Sequence, residues 1–252
     1  MIKAVLLDVG GVVYVGDRPL PGALAAVKRL KAAGLGLRCI TNTTSQPLSA
    51  MLAKLSGFGL VLEPEELFMP AVAARRLLEA RKLAPYLLIA PALAEDFAGL
   101  PERPPDAVVV GDAGPGFTYG AMNRAFRLLH DGAAFLALAR NRTFQDADER
   151  LSLDAGPFVA ALEYATRREA TLLGKPSAAF FLSAVASLGC RPDEAVMIGD
   201  DAEMDVAGAV SAGLQGILVR TGKYRAGDED AVTPAPSRVA SDLAEAVEGL
   251  LA

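Results

Sequence analysis

Asp8 ends a short apolar run, Ala4-Val5-Leu6-Leu7, and is followed by Val9-Gly10-Gly11-Val12. Three more polar clusters stand in comparable places. Thr41-Asn42-Thr43-Thr44 follows an apolar stretch, Gly174-Lys175-Pro176 opens a helical one, and Gly199-Asp200-Asp201 closes a third run, with Asp205 four residues beyond Asp201. Such a set suits phosphoryl transfer. A carboxylate that attacks phosphorus forms an aspartyl-phosphate and splits one hard step into two easier ones. The phosphoryl oxygens must be positioned and neutralised. The hydroxyl and N–H groups at Thr41-Asn42 and the Lys175 ammonium would do this. Hard oxygen ligands from Asp8 and Asp200 suit Mg²⁺. Each piece alone also fits a plainer role: a turn Asp, a helix cap at Thr41, a solvated lysine, or acidic charge at a helix N-terminus. The order and the shared strand contexts argue for chemistry.

The elements that must position these groups alternate. Strands are predicted at 3–7, 35–40, 86–89, 107–110, 135–139, 195–198 and 217–220. Helices are predicted at 21–33, 46–56, 65–83, 119–129, 157–166, 177–188 and 206–212. Pro21 suits a first helical turn and Gly34 a C-terminal stop. The alternation predicts an α/β fold with a Rossmann-like, doubly wound parallel sheet. In such a sheet the strand ends lie on one edge, where ligands bind. The expected division is a core from 1–80 and 172–252, with a second α/β domain, 81–171, inserted. The Pro-rich stretch 101–105 is a connector within the insertion.

The chain has 252 residues, 52% of them hydrophobic, and a net charge of −5, enough for a substantial core. The mild acidity argues against nucleic acid as partner. No apolar run is long enough to span a bilayer, and the N-terminus runs straight into a strand without a signal-peptide pattern. Cys39 and Cys190 fit no metal or redox spacing. The expectation is a soluble, cytoplasmic protein.

The four clusters, in this order, resemble the motifs of the haloacid dehalogenase superfamily of phosphatases over almost the whole chain. The insertion between Thr41 and Lys175 resembles the C2-type cap of the NagD-like group. Gly156-Pro157-Phe158-Val159, Ala161-Leu162-Glu163-Tyr164-Ala165, Met197-Ile198-Gly199-Asp200-Asp201 and Thr221-Gly222-Lys223-Tyr224-Arg225 are similar to the branch of the phospholysine phosphohistidine inorganic pyrophosphate phosphatases and their close relatives. Response-regulator receivers, which also phosphorylate an Asp, have the acidic pair first and the reactive Asp later, the reverse of this order.

The resemblance implies a role for each matching residue. Asp8 would be nucleophile and Mg²⁺ ligand, and Thr41 with Asn42 would bind the phosphoryl group. Lys175 would steady Asp8 and the transferred group. Asp200 would bind Mg²⁺, with Asp201 and Asp205 supporting metal waters or Lys175, and the residue 10 carbonyl would complete the protein ligands. Most members carry a second Asp at that position as general acid and base, where this chain has Gly10. The implied activity is an Mg²⁺-dependent phosphatase acting on small phosphorylated compounds or pyrophosphate. It would favour leaving groups that need little protonation and would be weak on others. The alternative is a catalytically silent relative that binds phosphate or a phosphometabolite. Arg140-Asn141-Arg142 falls where this cap class places substrate-contacting loops, and equally fits a charged turn. The cap class also implies a homodimer. His130 suits a helix C-terminus rather than catalysis. Asp17 is a distant candidate for the missing acid but fits a surface loop better, and Asp228-Glu229-Asp230 is a solvated run.

Overall fold

The computed structural model describes residues 1–145 and 150–252. The chain forms two compact units, one of Met1–Thr41, Ser49–Phe68 and Lys175–Ala252, the other of Asn42–Leu48 and Met69–Gly174.

The first unit is built on a six-stranded sheet. Its strands run in the order Arg238–Ala240, Gln215–Val219, Ala195–Gly199, Ala4–Asp8, Gly36–Ile40, Leu67–Phe68, and every pairing is parallel. Ala4–Asp8 and Ala195–Gly199 are buried at every position, as strands covered on both faces must be, which is why they read as unbroken apolar runs. From Ala4–Asp8 the chain adds strands on one side through Gly36–Ile40 and Leu67–Phe68. The later strands stack on the other side, beginning with Ala195–Gly199. The order therefore reverses between Ala4–Asp8 and Ala195–Gly199. The crevice beyond the carboxyl ends of such a pair is where open α/β sheets bind ligands.

Helices cover this sheet with small or aromatic faces. Ala23–Ala32 buries Ala23, Ala26, Val27 and Leu30, a spacing that lies on one side of a 3.6-residue helix. Ala178–Ala186 buries Phe180 and Phe181, and the Phe180 ring lies 5.3 Å from that of Phe68.

The second unit has a four-stranded parallel sheet ordered Thr171–Leu172, Ala134–Ala137, Ala107–Val110, Pro85–Leu88, and a separate antiparallel pair, Thr143–Gln145 with Leu151–Leu153. Val108, Val110, Leu129, Phe135, Val159 and Leu162 form its core with the helices Tyr119–His130 and Ala155–Thr166. The Phe117 and Phe158 rings stack 3.7 Å apart at an angle of 6°.

Several elements differ from expectation. The helix predicted from 65 begins at Pro70 and runs to Arg81. Before it, Pro64–Glu66 makes a 3₁₀ turn and Leu67–Phe68 pairs with Cys39 and Ile40 as an edge strand. A proline at the first helical position explains the later start. The chain was expected to divide near 81, whereas this helix belongs to the second unit. There Arg75 donates to the carbonyls of Asp96 (2.8 Å) and Ala98 (2.9 Å). Asn42–Leu48 is likewise tied to that unit, because the Asp96 carboxylate accepts from the Leu48 N–H at 3.2 and 3.1 Å. The helix expected at 206–212 is preceded by a π-helical turn, Ala202–Ala207, and continues as Gly208–Ser211. The edge strand Arg238–Ala240 and the helix Leu243–Leu251 had no sequence forecast. Among the described residues no helix is long and apolar enough to cross a membrane.

Candidate active site

The site is built from strand ends of the first unit. Asp8 is the last residue of its strand and pairs in register with Ile40, so Thr41 lies one residue past Asp8 on the neighbouring strand. Thr41 is buried, and its N–H donates to the Phe68 carbonyl at 3.3 Å. On the other side Asp200 follows Gly199, the end of the Ala195–Gly199 strand.

Lys175 joins these ends. Its ammonium donates to the Asp8 carboxylate and pairs with Asp205 Oδ1 at 2.5 Å, and all three side chains are almost fully buried. The π-helical turn makes this contact: Val206 N–H reaches back five residues to the Asp201 carbonyl at 3.3 Å, and the wider turn returns Asp205 toward the strand end. Turns of this kind recur at functional sites. Asp205 Oδ2 also accepts from the Asp201 N–H at 3.2 Å, and the Asp201 carboxylate caps the turn through the Met204 N–H at 2.9 Å.

Asp8, Asp200 and Asp205 place one carboxylate oxygen each within 4.8 Å of one another. Burial pushes the Asp8 carboxyl up to about 7, against the pull of Lys175, with the charges on Asp205 and Asp200 adding to the rise. Burial also raises Asp200, partly offset by the hydrogen bond from Lys223. Burial opposes charge on Lys175 as well, yet Asp205 and Asp8 hold its ammonium above the ordinary lysine value. Three buried carboxylates thus face one ammonium. Buried charge is tolerated when it is paired, and the surplus here is negative. The donors are all hard oxygens, so the set fits a small divalent cation such as Mg²⁺.

Glycines shape the site in a way sequence reasoning missed. Gly11 has φ +86°, and a Cβ on it would lie 2.0 Å from Asp200 Oδ2; a Cβ on Gly222, at φ +59°, would meet the same oxygen at 2.0 Å. A Cβ on Gly199 would fall 2.4 Å from the Asp205 side chain. Three glycines therefore stand where carboxylates pack directly on backbone. The signal in the sequence was a glycine just past or at each of three strand ends. Gly10 is different: its φ is not in the left-handed region, and a Cβ there would meet nothing within 4 Å.

Asn42 belongs to the second unit. So do Arg140, Asn141 and Arg142, which are exposed. Arg140 pairs with Glu163, and the Asn141 carbonyl accepts from the Gly156 N–H at 3.0 Å, which ties this loop to the start of the Ala155–Thr166 helix. Asp17 is exposed in the two-residue turn that joins Tyr14–Val15 to Arg18–Pro19. His130 ends its helix in the open, 3.5 Å from Asp131.

Residues 5–100 match the family described as haloacid dehalogenase-like hydrolase, and residues 172–246 match a second HAD-hydrolase-like family. The haloacid dehalogenase-like hydrolase domain-containing protein 2 of Homo sapiens is 44% identical over 99% of this chain and 96% of its own length. The phospholysine phosphohistidine inorganic pyrophosphate phosphatase of Xenopus laevis is 41% identical over 100% of this chain and 95% of its own. Among solved structures, the glycerol phosphate phosphatase from Mycobacterium tuberculosis in complex with magnesium superimposes with a TM-score of 0.82 at 27% identity, over 96% of this chain and 76% of that one.

Proposed function

The chain belongs to the haloacid dehalogenase-like hydrolase family and is a phosphatase of that family, and we propose that it is Mg²⁺-dependent and works through an aspartyl-phosphate on Asp8. The observation that carries this reading is the buried lysine bridging Asp8 and Asp205 beside Asp200, at the point where the strand order reverses.

In this reading an Asp8 carboxylate oxygen attacks phosphorus, an Asp8–phosphorus bond forms, and the bond to the leaving group breaks. Lys175 holds Asp8 in place and offsets negative charge on the transferred group. The Thr41 hydroxyl, with Asn42, holds the phosphoryl oxygens. Asp8, Asp200 and the Gly10 carbonyl would hold Mg²⁺, which when bound neutralises phosphoryl charge. Asp205 keeps Lys175 charged and aimed, and Asp201 caps the turn that carries Asp205. Water then cleaves the aspartyl-phosphate and releases phosphate.

Gly10 leaves this cycle without the side chain that would protonate a leaving oxygen and activate the attacking water. Leaving groups that depart as weak bases suit such a site: aryl phosphates, acyl phosphates, pyrophosphate and phosphoramidates. The names of the relatives support small phosphorylated substrates, including pyrophosphate and phosphorus–nitrogen compounds. Arg140, Asn141 and Arg142 are our candidates for the substrate loop of a C2-type cap formed by the inserted segment. We assign the protein to the cytoplasm, which suits its two free cysteines, and expect a homodimer, to be checked by light scattering.

The test is hydrolysis of p-nitrophenyl phosphate by wild type, Asp8→Asn and Asp200→Asn across a Mg²⁺ titration. We expect turnover that needs Mg²⁺, vanishes in Asp8→Asn and demands more Mg²⁺ in Asp200→Asn. Phosphate binding without turnover would instead favour the silent relative.

A further inference from the structure

Three loops meet on one carboxylate. The turn after Ala4–Asp8 brings Gly11, the Ala195–Gly199 strand ends beside Asp200, and the loop after Gln215–Val219 brings Thr221, Gly222 and Lys223. The Thr221 hydroxyl donates to the Gly11 carbonyl at 2.6 Å, and the Lys223 N–H donates to Asp200 Oδ2 at 2.7 Å. Between these bonds Gly222 packs so closely that an added Cβ would lie 2.5 Å from the Gly11 Cα.

We infer that Thr221 is a positioning residue: its hydroxyl fastens the Gly10–Gly11 turn to the loop that holds Asp200, so that the Asp8 and Asp200 loops keep one spacing. Two successive glycines make this turn the most permissive stretch of backbone near the nucleophile. Gly11 is pinned from both sides, its N–H by the Tyr14 carbonyl at 2.7 Å and its own carbonyl by Thr221. Among the described residues Thr221 supplies the side-chain hydrogen bond to that carbonyl, so its hydroxyl is the restraint a substitution can remove. The inference rests on the Mg²⁺ reading, because spacing between Asp8 and Asp200 matters most to a cation held by both.

The experiment titrates MgCl₂ calorimetrically into substrate-free wild type, Thr221→Val and Thr221→Ser, with an unfolding temperature for each. Valine keeps the shape and removes the hydroxyl; serine keeps the hydroxyl. We expect Thr221→Val to bind Mg²⁺ about 10-fold or more weakly, the range typical of residues that orient metal ligands, and Thr221→Ser to stay close to wild type. A role in folding alone would lower the unfolding temperature and leave Mg²⁺ affinity in place, which overturns the inference. So does a serine variant as weak as the valine one. A wild type that binds no Mg²⁺ removes the metal reading itself, and this inference falls with it.

Discussion

Replacing Gly11 by alanine should destabilise the protein, and the same change at its neighbour Gly10 should not. At Gly11, φ is +86° and the new Cβ would lie 2.0 Å from Asp200 Oδ2. The left-handed backbone costs a residue with a side chain about 1–2 kcal/mol. Asp200 must also move, straining the bond it accepts from Lys223 at 2.7 Å; hydrogen bonds to charged groups contribute about 1.5–3 kcal/mol. Together these give a loss of about 2.5–5 kcal/mol, or roughly 5–20 °C in Tm for a chain of this size. At Gly10 the backbone is ordinary and the space is open. Alanine there should stabilise by about 0.4–1 kcal/mol through the unfolded chain. Thermal unfolding of the two variants, followed by circular dichroism or calorimetry, decides it. Equal losses at the two positions, or a neutral Gly11→Ala, would refute the packing argument for Asp200.

Two further expectations follow from the same site. Gly10→Asp fills open space with the missing acid and base, so kcat/KM should rise for alkyl phosphates more than for aryl ones, by up to about 10²–10⁴-fold; parallel kinetics on one substrate of each kind measure it. Lys175→Met leaves Asp8 and Asp205 without their counter-charge and should lower stability by about 3–5 kcal/mol, and Mg²⁺ should raise the Tm of this variant more than that of wild type in a thermal scan.

The parts of this structure legible in the sequence share a physical cause. Ala4–Asp8, Ala107–Val110 and Ala195–Gly199 are buried on both faces, so their strands are apolar runs that stand out. Arg238–Ala240 is an edge strand with an exposed arginine, and Leu67–Phe68 is two residues long; neither leaves a pattern to read. The π-helical turn at Ala202–Ala207 has no periodicity of its own to announce it. At the site, Asp8 and Lys175 lie 167 positions apart, and the expectation that they meet rested on the shared sheet edge together with the family resemblance. Asp205 was expected as a supporting residue, and its direct pairing with Lys175 depends on the turn geometry. Gly11, Gly199 and Gly222 stood at or just past strand ends in the sequence, but a glycine does not say which group presses against it. The second unit's elements were mostly legible, but the affiliation of the Pro70–Arg81 helix depends on Arg75 reaching two backbone carbonyls.

In the proposed cycle Asp8 becomes covalently phosphorylated, and Gly10 slows the second half. Rapid quenching of wild type with p-nitrophenyl phosphate and Mg²⁺ tests it directly. Release of p-nitrophenol should show a burst approaching one equivalent per chain, followed by a slower steady rate. Mass spectrometry of the quenched protein should find a phosphoryl group on the peptide containing Asp8, absent from Asp8→Asn. Steady turnover without a burst and without label on Asp8, or label that persists in Asp8→Asn, would rule out Asp8 as the nucleophile.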